Sequence, residues 1–482
     1  MMNNLAQGQA LARISALVDE NSFVEIGGMI TARATDFNMQ SKDTPGDGVV
    51  TGYGLINGDL VYVYSQDVSV LGGTIGEMHA KKISKIYELA MKVGAPVIAL
   101  VDCGGFRLQE AMDSLNAFGE VYMNQAKASG VIPQITAVFG TCGGGMGIAA
   151  AMSDFTFVAD DAKIFINTPN TLDGNIDTKC DTASASYQAE TGVADFTGSE
   201  EQVLSGIRQL VSMLPGNFQD EVFNECTDDL NRVCTELGNC SEDTLLALSH
   251  ISDNNVIMEV KSQCAKEMVT AFIKLNGITV GAVANRTVVY DDNMNKAEEF
   301  NAVLTTAGCK KAASFVKFCD AFGIPVITLT NAEGFKATVD EEAYIGKAAA
   351  ELTYAFASAT VPKVNVIVGK AFGSAYNVMN SKAAGADIVY AWPSAQVGAM
   401  DGENAVRIIY AEEIEKAPDK EAFINDKKSE YESLTESALS AAKRGYVDDI
   451  IEPESTRKYL IGSLEMLYTK NEKCPDKKHG TL

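Results

Sequence analysis

Apolar residues recur along the chain in two rhythms. Between Val49 and Val70 they alternate with polar residues around Asn57-Gly58, the pattern of two strands joined by a tight hairpin. From Ile75 to Val93 the spacing changes, and Ile83, Ile86, Ala90 and Val93 fall along one stripe of a helix. Short unbroken apolar runs at Pro96 to Val101 and Ile135 to Phe139 predict buried strands, with a helix between them. A helix at Leu5 to Val18, with Leu5, Leu11, Ile14 and Leu17 near one face, and a strand at Ser22 to Ile26 precede this series. Helical patterning returns at Glu200 to Leu214, Glu412 to Arg444 and Leu460 to Tyr468, and Lys470 to Lys478 reads as a frayed tail. Strands alternating with helices predict an α/β fold.

The segment Val138 to Val158, VFGTCGGGMGIAAAMSDFTFV, runs from an apolar strand through Gly143, Gly144 and Gly145 into a helix of small residues. Such a turn presents the unpaired amides of a helix's first turn, with partial positive charge, and suits a developing oxyanion such as a thioester enolate. Taken alone, three glycines more often mark tight packing of helix on strand. The same construction returns at Val364 to Trp392, where Gly140 aligns with Gly369, Gly144 with Gly373 and Gly145 with Ser374. In identical register, VGAPVIALVDCGGFR (Val93 to Arg107) matches FGIPVITLTNAEGFK (Phe322 to Lys336), and at a slightly different offset Val50 to Gly58 matches Val269 to Gly277. Three matches in order indicate an internal duplication. The 482 residues therefore divide into domains 1–240 and 241–482, with Pro215 to Asp253, acidic and without periodicity, as the linker. In the first repeat, Asp102-Cys103-Gly104-Gly105-Phe106-Arg107 forms a second turn with exposed amides at the end of a neighbouring strand.

Charge and composition narrow the chemistry. A formal charge of −25 argues against nucleic acid as a partner, because a phosphate backbone needs clustered Lys and Arg. The ten cysteines show no C-x-x-C pair, and His79, His250 and His479 stand far apart, so neither a metal site nor a histidine-centred nucleophile is expected. No apolar run is long enough to span a bilayer, and a cytoplasmic protein is expected, with any membrane association running through a partner. Ala90-Met91-Lys92 imitates the tripeptide around a biotinylated lysine, but it sits inside an amphipathic helix, where Lys92 reads as a solvated residue.

The runs DGVVTGYGLINGDLVYVYSQD (Asp47 to Asp67), ASGVIPQITAVFGTCGGG (Ala128 to Gly145), ASATVPKVNVIVGKAFGSAYNVM (Ala357 to Met379) and GADIVYAWPSAQVGAM (Gly385 to Met400) resemble the carboxyltransferase subunits of biotin-dependent acyl-CoA carboxylases. They are equally similar to the alpha subunits of related decarboxylases, so the chain resembles the propionyl-CoA carboxylase beta and methylmalonyl-CoA decarboxylase alpha group. The resemblance covers nearly the whole chain and weakens between about 160 and 260. It implies two crotonase-like domains, the first for the acyl-CoA and the second for biotin delivered by a separate carrier protein. The site would form between the N-domain of one protomer and the C-domain of another, which requires a homo-oligomer, and a biotin carboxylase or a membrane decarboxylase subunit would complete the complex.

Carried over by position, the resemblance assigns the amides of Gly144 and Gly145 to the thioester oxygen and those of Ser374 and Ala375 to the biotin carbonyl. Gly104, Gly105, Arg107 and Gly143 would line the acyl-CoA side, and Gly334, Phe335, Gly373, Tyr376 and Asn377 the biotin side. Arg107 reads equally as a brace for its turn or a partner for phosphate or carboxylate; Lys81 and Lys82 read as a solvated helix face or as contacts for CoA phosphates. Tyr376 reads as pocket wall. Four positions depart from the family pattern: Ser374 stands for a glycine, Asn377 for an aspartate, and Ala332-Glu333-Gly334-Phe335 replaces Val-Pro-Gly-Phe, differing at 332 and 333. Glu333 places an acid where a carboxylate must approach. Two other readings therefore stand beside carboxyl transfer: a non-catalytic structural subunit, and a stand-alone crotonase-type hydratase or hydrolase.

Overall fold

The computed structural model describes residues 8–33, 44–220, 225–291, 293–476 and 480–481. The chain divides into two compact units, Met1–Val222 and Phe223–Leu482. In the first, the expected hairpin pairs Val49–Ile56 with Asp59–Gln66 in register from Val49↔Gln66 to Ile56↔Asp59. Its turn residues Asn57 (φ 53°) and Gly58 (φ 91°) are both left-handed, the two-residue turn whose twist matches that of the strands. Parallel strands Val97–Cys103, Gln134–Gly143, Phe155–Ala159 and Phe196–Gly198 then add in order, and Val24–Glu25 caps the other edge. Lys163–Phe165 continues the sheet beside the end of Gln134–Gly143.

The connections are helices that start and stop where the side chains dictate. Glu77–Val93 buries Ile83, Ile86 and Ala90 and ends at the left-handed Gly94; Val93, placed on the same stripe by periodicity, is exposed. Ala111–Ala128 is the second crossover helix, and Glu200–Val211 begins with a capping box of Ser199 and Gln202. The first helix spans Gln9–Leu17, with Ile14 and Leu17 buried; Leu5 lies outside the described residues. Val61, Val63, Ile98, Leu100, Val138 and Phe157 form the centre of this unit's core.

The second unit repeats the plan. Met268–Leu275 and Ile278–Asn285 form a hairpin through left-handed Asn276 and Gly277. Val326–Ala332, Lys363–Phe372, Ile388–Ala391 and Asp449–Ile450 follow in parallel, with Ile257–Glu259 at the opposite edge and Gln396–Gly398 beside the end of Lys363–Phe372. Both sheets have 8 strands in the same order, and both break register at equivalent places, Val101/Cys103 and Thr330/Ala332. The duplication read from sequence is thus a duplication of topology.

Two segments differ from expectation. The acidic stretch before residue 253 is built into the second unit: Leu237, Leu248 and Ile251 are fully buried in its core beside Trp392 and Leu460, and Thr244–Ile251 is helical. Arg457, also buried, holds the stretch by bonding the Ile251 carbonyl (2.6 Å) and Asp253 (2.6 Å). The division between units therefore falls ahead of 240, because Cys234 and Leu237 belong to the core of the second unit. The lysine-rich tail is also tied down, since Lys470 Nζ donates to Asp387 (2.8 Å) and to the Val361 carbonyl (3.1 Å). Residues 477–479 lie outside the described part. The helical region before Arg444 comprises Gly402–Ile409, Ala411–Lys416, Lys420–Tyr431, a π-turn Glu432–Glu436 and Ala438–Lys443.

Candidate functional site

Each unit carries its glycine turn where the longest strand meets a short helix. In the first, Gly144 (φ 57°, ψ −121°) turns Gln134–Gly143 into Gly145–Ala151. That backbone region is open to glycine alone at low cost, although a Cβ there would meet nothing within 4 Å, so the glycine serves conformation rather than space. The Gly144 amide donates to the Phe165 carbonyl (2.9 Å) and is committed to the fold. Gly145, at the first helical position, keeps an amide with no intrahelical acceptor. Its carbonyl is held by Tyr122 Oη (2.7 Å), and Phe118 packs beside it. Tyr122 carries no motif of its own; its signal was only the i, i+4 aromatic pair Phe118 and Tyr122 on a crossover helix.

Gly105 lies beside the turn, close to the Gly143 carbonyl, so the two turns read from sequence do converge. The Gly104 amide donates to the Gly72 carbonyl (3.2 Å), and the Gly105 amide faces only the Cys103 sulfur (3.3 Å). Arg107 is spent on protein partners. It is 1% exposed and donates to Asp47 (2.6 Å), Glu110 (2.7 Å) and the Thr74 carbonyl (2.8 Å), which leaves it the structural half of its two readings. Asp47 in turn accepts the His79 amide (2.7 Å), and burial drives the His79 imidazole down to about 3, so His79 is neutral. Lys82 is neither solvated nor free for phosphate: it is buried, donates to the Gly46 (2.9 Å) and Val49 carbonyls, and burial pulls its ammonium down to about 8. Lys81 is exposed and paired with Glu77 (2.6 Å); Lys92 is an exposed helix residue.

In the second unit Gly373 (φ 56°) opens the helix Gly373–Val378, whose first turn carries the amides of Ser374 and Ala375. The helix packs on the short strand Gly334–Phe335, which itself pairs with Val303–Leu304. Ser374 and Asn377 are exposed, Ala375 is buried, and the Tyr376 ring is half-buried against the small cluster around Ala438 and Val447, consistent with a wall. Glu333 is ion-paired with Lys370 Nζ at 2.6 Å, both side chains being partly exposed.

One brace common to both turns was not singled out from sequence. Asp102 Oδ1 accepts the Thr141 amide (3.2 Å), and its counterpart Asn331 Oδ1 accepts the Lys370 amide (3.0 Å). A Cβ at Gly140 would collide with Asp102 and one at Gly369 with Asn331, which is why those two glycines align. Among the described residues no group of His, Cys, Asp and Glu is placed to hold a metal ion, and no helix is long and apolar enough to cross a membrane.

Two sheets of one topology, each closing on a glycine turn at the end of its longest strand, define a duplicated crotonase-like protein. The carboxyl transferase domain family matches residues 4–482, and the chain belongs to that family. It is 38% identical to the methylmalonyl-CoA decarboxylase alpha subunit of Propionigenium modestum, over 98% of this chain and 92% of that one. It is 40% identical to the carboxyltransferase subunit of propionyl-CoA carboxylase from Haloferax mediterranei, over 98% and 93%. The transcarboxylase 12S core, solved as a hexamer with methylmalonyl-CoA and methylmalonic acid bound, superposes with a TM-score of 0.91 at 36% identity, covering 98% of this chain and 91% of that one.

Proposed function

We propose that the chain is the carboxyltransferase subunit of a biotin-dependent acyl-CoA carboxylase or decarboxylase. It moves a carboxyl group between a malonyl- or methylmalonyl-type CoA and biotin on a separate carrier protein. The observation that carries the reading is the pair of equivalent glycine turns on equivalent strands: carboxyl transfer passes between two anions, and each needs donors that do not titrate. The first turn would hold the thioester oxygen through the Gly145 amide, with Gly144 setting the bend and Gly105 and Gly143 lining the approach. The second would hold the ureido oxygen through Ser374 and Ala375, whose amides survive the change from glycine to serine, with Gly334, Phe335, Gly373, Tyr376 and Asn377 around it. When the bond between the carboxylate and the α-carbon breaks, its electron pair would pass into the thioester enolate beside the Gly145 amide; biotin, when bound, would supply the nitrogen that accepts the carbon dioxide, and its N–H proton would go to the enolate carbon. Positioning and exclusion of water do the rest.

Under this reading the first unit is the acyl-CoA side and the second the biotin side. The partners are a biotin carrier and either a biotin carboxylase or a membrane decarboxylase subunit. The pairing of Glu333 with Lys370 offsets part of the charge that favoured a non-catalytic subunit and so supports the catalytic reading. The test is carbon dioxide release from malonyl-, methylmalonyl- and glutaconyl-CoA with and without high free biotin. Release that depends on biotin from one of these substrates is expected, and Gly145→Pro should lower it by about 100-fold or more, the scale of one lost oxyanion donor. CoA esters that bind but never release carbon dioxide would return the structural-subunit reading.

A further inference from the structure

The two units solve the space behind their turns differently. In the first, Gly143 pairs in register with Phe165, whose ring lies over the glycine. In the second the pair is inverted: Phe372 stands on the long strand and Gly398 opposite it. The ring missing at Gly398 leaves room that the Glu436 side chain occupies, since a Cβ at Gly398 would lie 2.9 Å from Glu436 Cγ. The chain reaches this point by equivalent routes: Ser184 bridges Lys163 and Ser437 bridges Gln396, and each serine caps the following helix. In the second unit, however, the return passes through the π-turn Glu432–Glu436, a geometry that recurs at functional positions.

Glu436 is 1% exposed, and its Oε1 has no hydrogen-bond partner among the described residues. The Gly398 that it packs against is one residue from Ala399, whose carbonyl abuts Gly373 (3.2 Å from a Cβ built there) at the second turn. Glu432 faces it from its own π-turn and Asp401 from the cap of Gly402–Ile409; Lys428 faces it from Lys420–Tyr431 and Lys370 from the long strand. Both lysines are already engaged by acids, Lys428 by Glu432 (3.8 Å) and Lys370 by Glu333 (2.6 Å).

We infer that Glu436 is a positioning residue of the second turn: as a neutral side chain it supports Gly398 and the backbone against Gly373, and as an anion it opposes the anion that the turn must hold. The inference rests on the function proposed above and concerns the same site. Burial, reinforced by Glu432 and Asp401, pushes the carboxyl from its ordinary range up to about 7. Below that pH the group is neutral and the turn competent. Above it, the competent fraction falls, and the apparent affinity of the turn's ligand falls by the same fraction.

The experiment measures KM for free biotin and for the acyl-CoA from pH 6 to pH 8 in biotin-dependent carbon dioxide release by the whole chain. The biotin KM of the wild type should rise about tenfold across that range, as one ionisation near 7 requires, while the acyl-CoA KM does not follow it. Glu436→Gln keeps the shape without the charge and should hold the biotin KM flat at its pH 6 value. Lys370→Met removes the cation that favours the ionised form and should move the midpoint of the rise to higher pH, a shift that a purely space-filling glutamate would not produce. A protonated-carboxyl infrared band at pH 6 that Glu436→Gln removes would support the same assignment without activity. A flat biotin KM in the wild type, or a rise retained in Glu436→Gln, overturns the inference while leaving the proposed function standing. No biotin-dependent release at any pH removes both.

Discussion

Arg107 and Glu436 show how much a single residue's meaning depends on its surroundings. The arginine follows a glycine turn at the end of a strand, where a phosphate contact is as reasonable as a brace. Its burial between Asp47 and Glu110 decides for the brace. Removing one member of such a buried group leaves the others uncompensated, so Arg107→Met should destabilise the protein by roughly 3–5 kcal/mol in urea unfolding. The acyl-CoA KM of the fraction that remains folded should change little; a large rise in KM without loss of stability would restore the phosphate reading. Lys82 went the same way, from a helix-face cation to a buried ammonium bound to the Gly46 and Val49 carbonyls. Side-chain burial of this kind has no local signature, because Lys81 and Lys82 look alike until one of them is turned toward a loop more than thirty residues away in sequence.

At the scale of elements, hairpins, crossover helices and buried strands were legible because each is set by local periodicity and turn chemistry. Asn57-Gly58 and Asn276-Gly277 demand left-handed pairs, and both hairpins form around them. Ends were less legible: the strand expected at Ser22 to Ile26 is only Val24–Glu25, and the helix expected from Ile75 begins at Glu77. The acidic stretch before residue 253 reads as a linker because its few apolar residues lack a period. Leu237, Leu248 and Ile251 are buried by partners far away in sequence, among them Leu460 and Trp392. Leu237→Ala should therefore cost about 2–5 kcal/mol in denaturant unfolding. A change within about 0.5 kcal/mol, the ordinary size for a surface position, would mean that the stretch is not part of the core.

For the whole molecule, the duplication is the dominant fact, and under the proposed function the two turns would serve one reaction. If, as proposed, the site were shared between the N-unit of one protomer and the C-unit of another, it would need a closed assembly. Light scattering of the purified chain should give a dimer or a higher multiple of 51.4 kDa, and activity should fall on dilution into monomer. An active monomer would contradict the shared site.

The sequence by itself determined the α/β class, the duplication, both hairpins and the place of both glycine turns. These depend on period, turn residues and internal alignment, which are properties of neighbouring positions. Only the tertiary structure decided which groups at those turns are available. Gly144 and Gly104 spend their amides on the Phe165 and Gly72 carbonyls, Tyr122 holds the Gly145 carbonyl, and Asp102 and Asn331 brace the strands behind the turns. The same holds for Glu333, an acid in the wrong place until Lys370 is brought 2.6 Å from it, and for Glu436, a surface-like glutamate in sequence that the inversion of Gly143–Phe165 into Phe372–Gly398 draws inside. Hydrogen-bond commitment and burial depend on residues that meet only when the sheet closes, so no reading of one segment contains them.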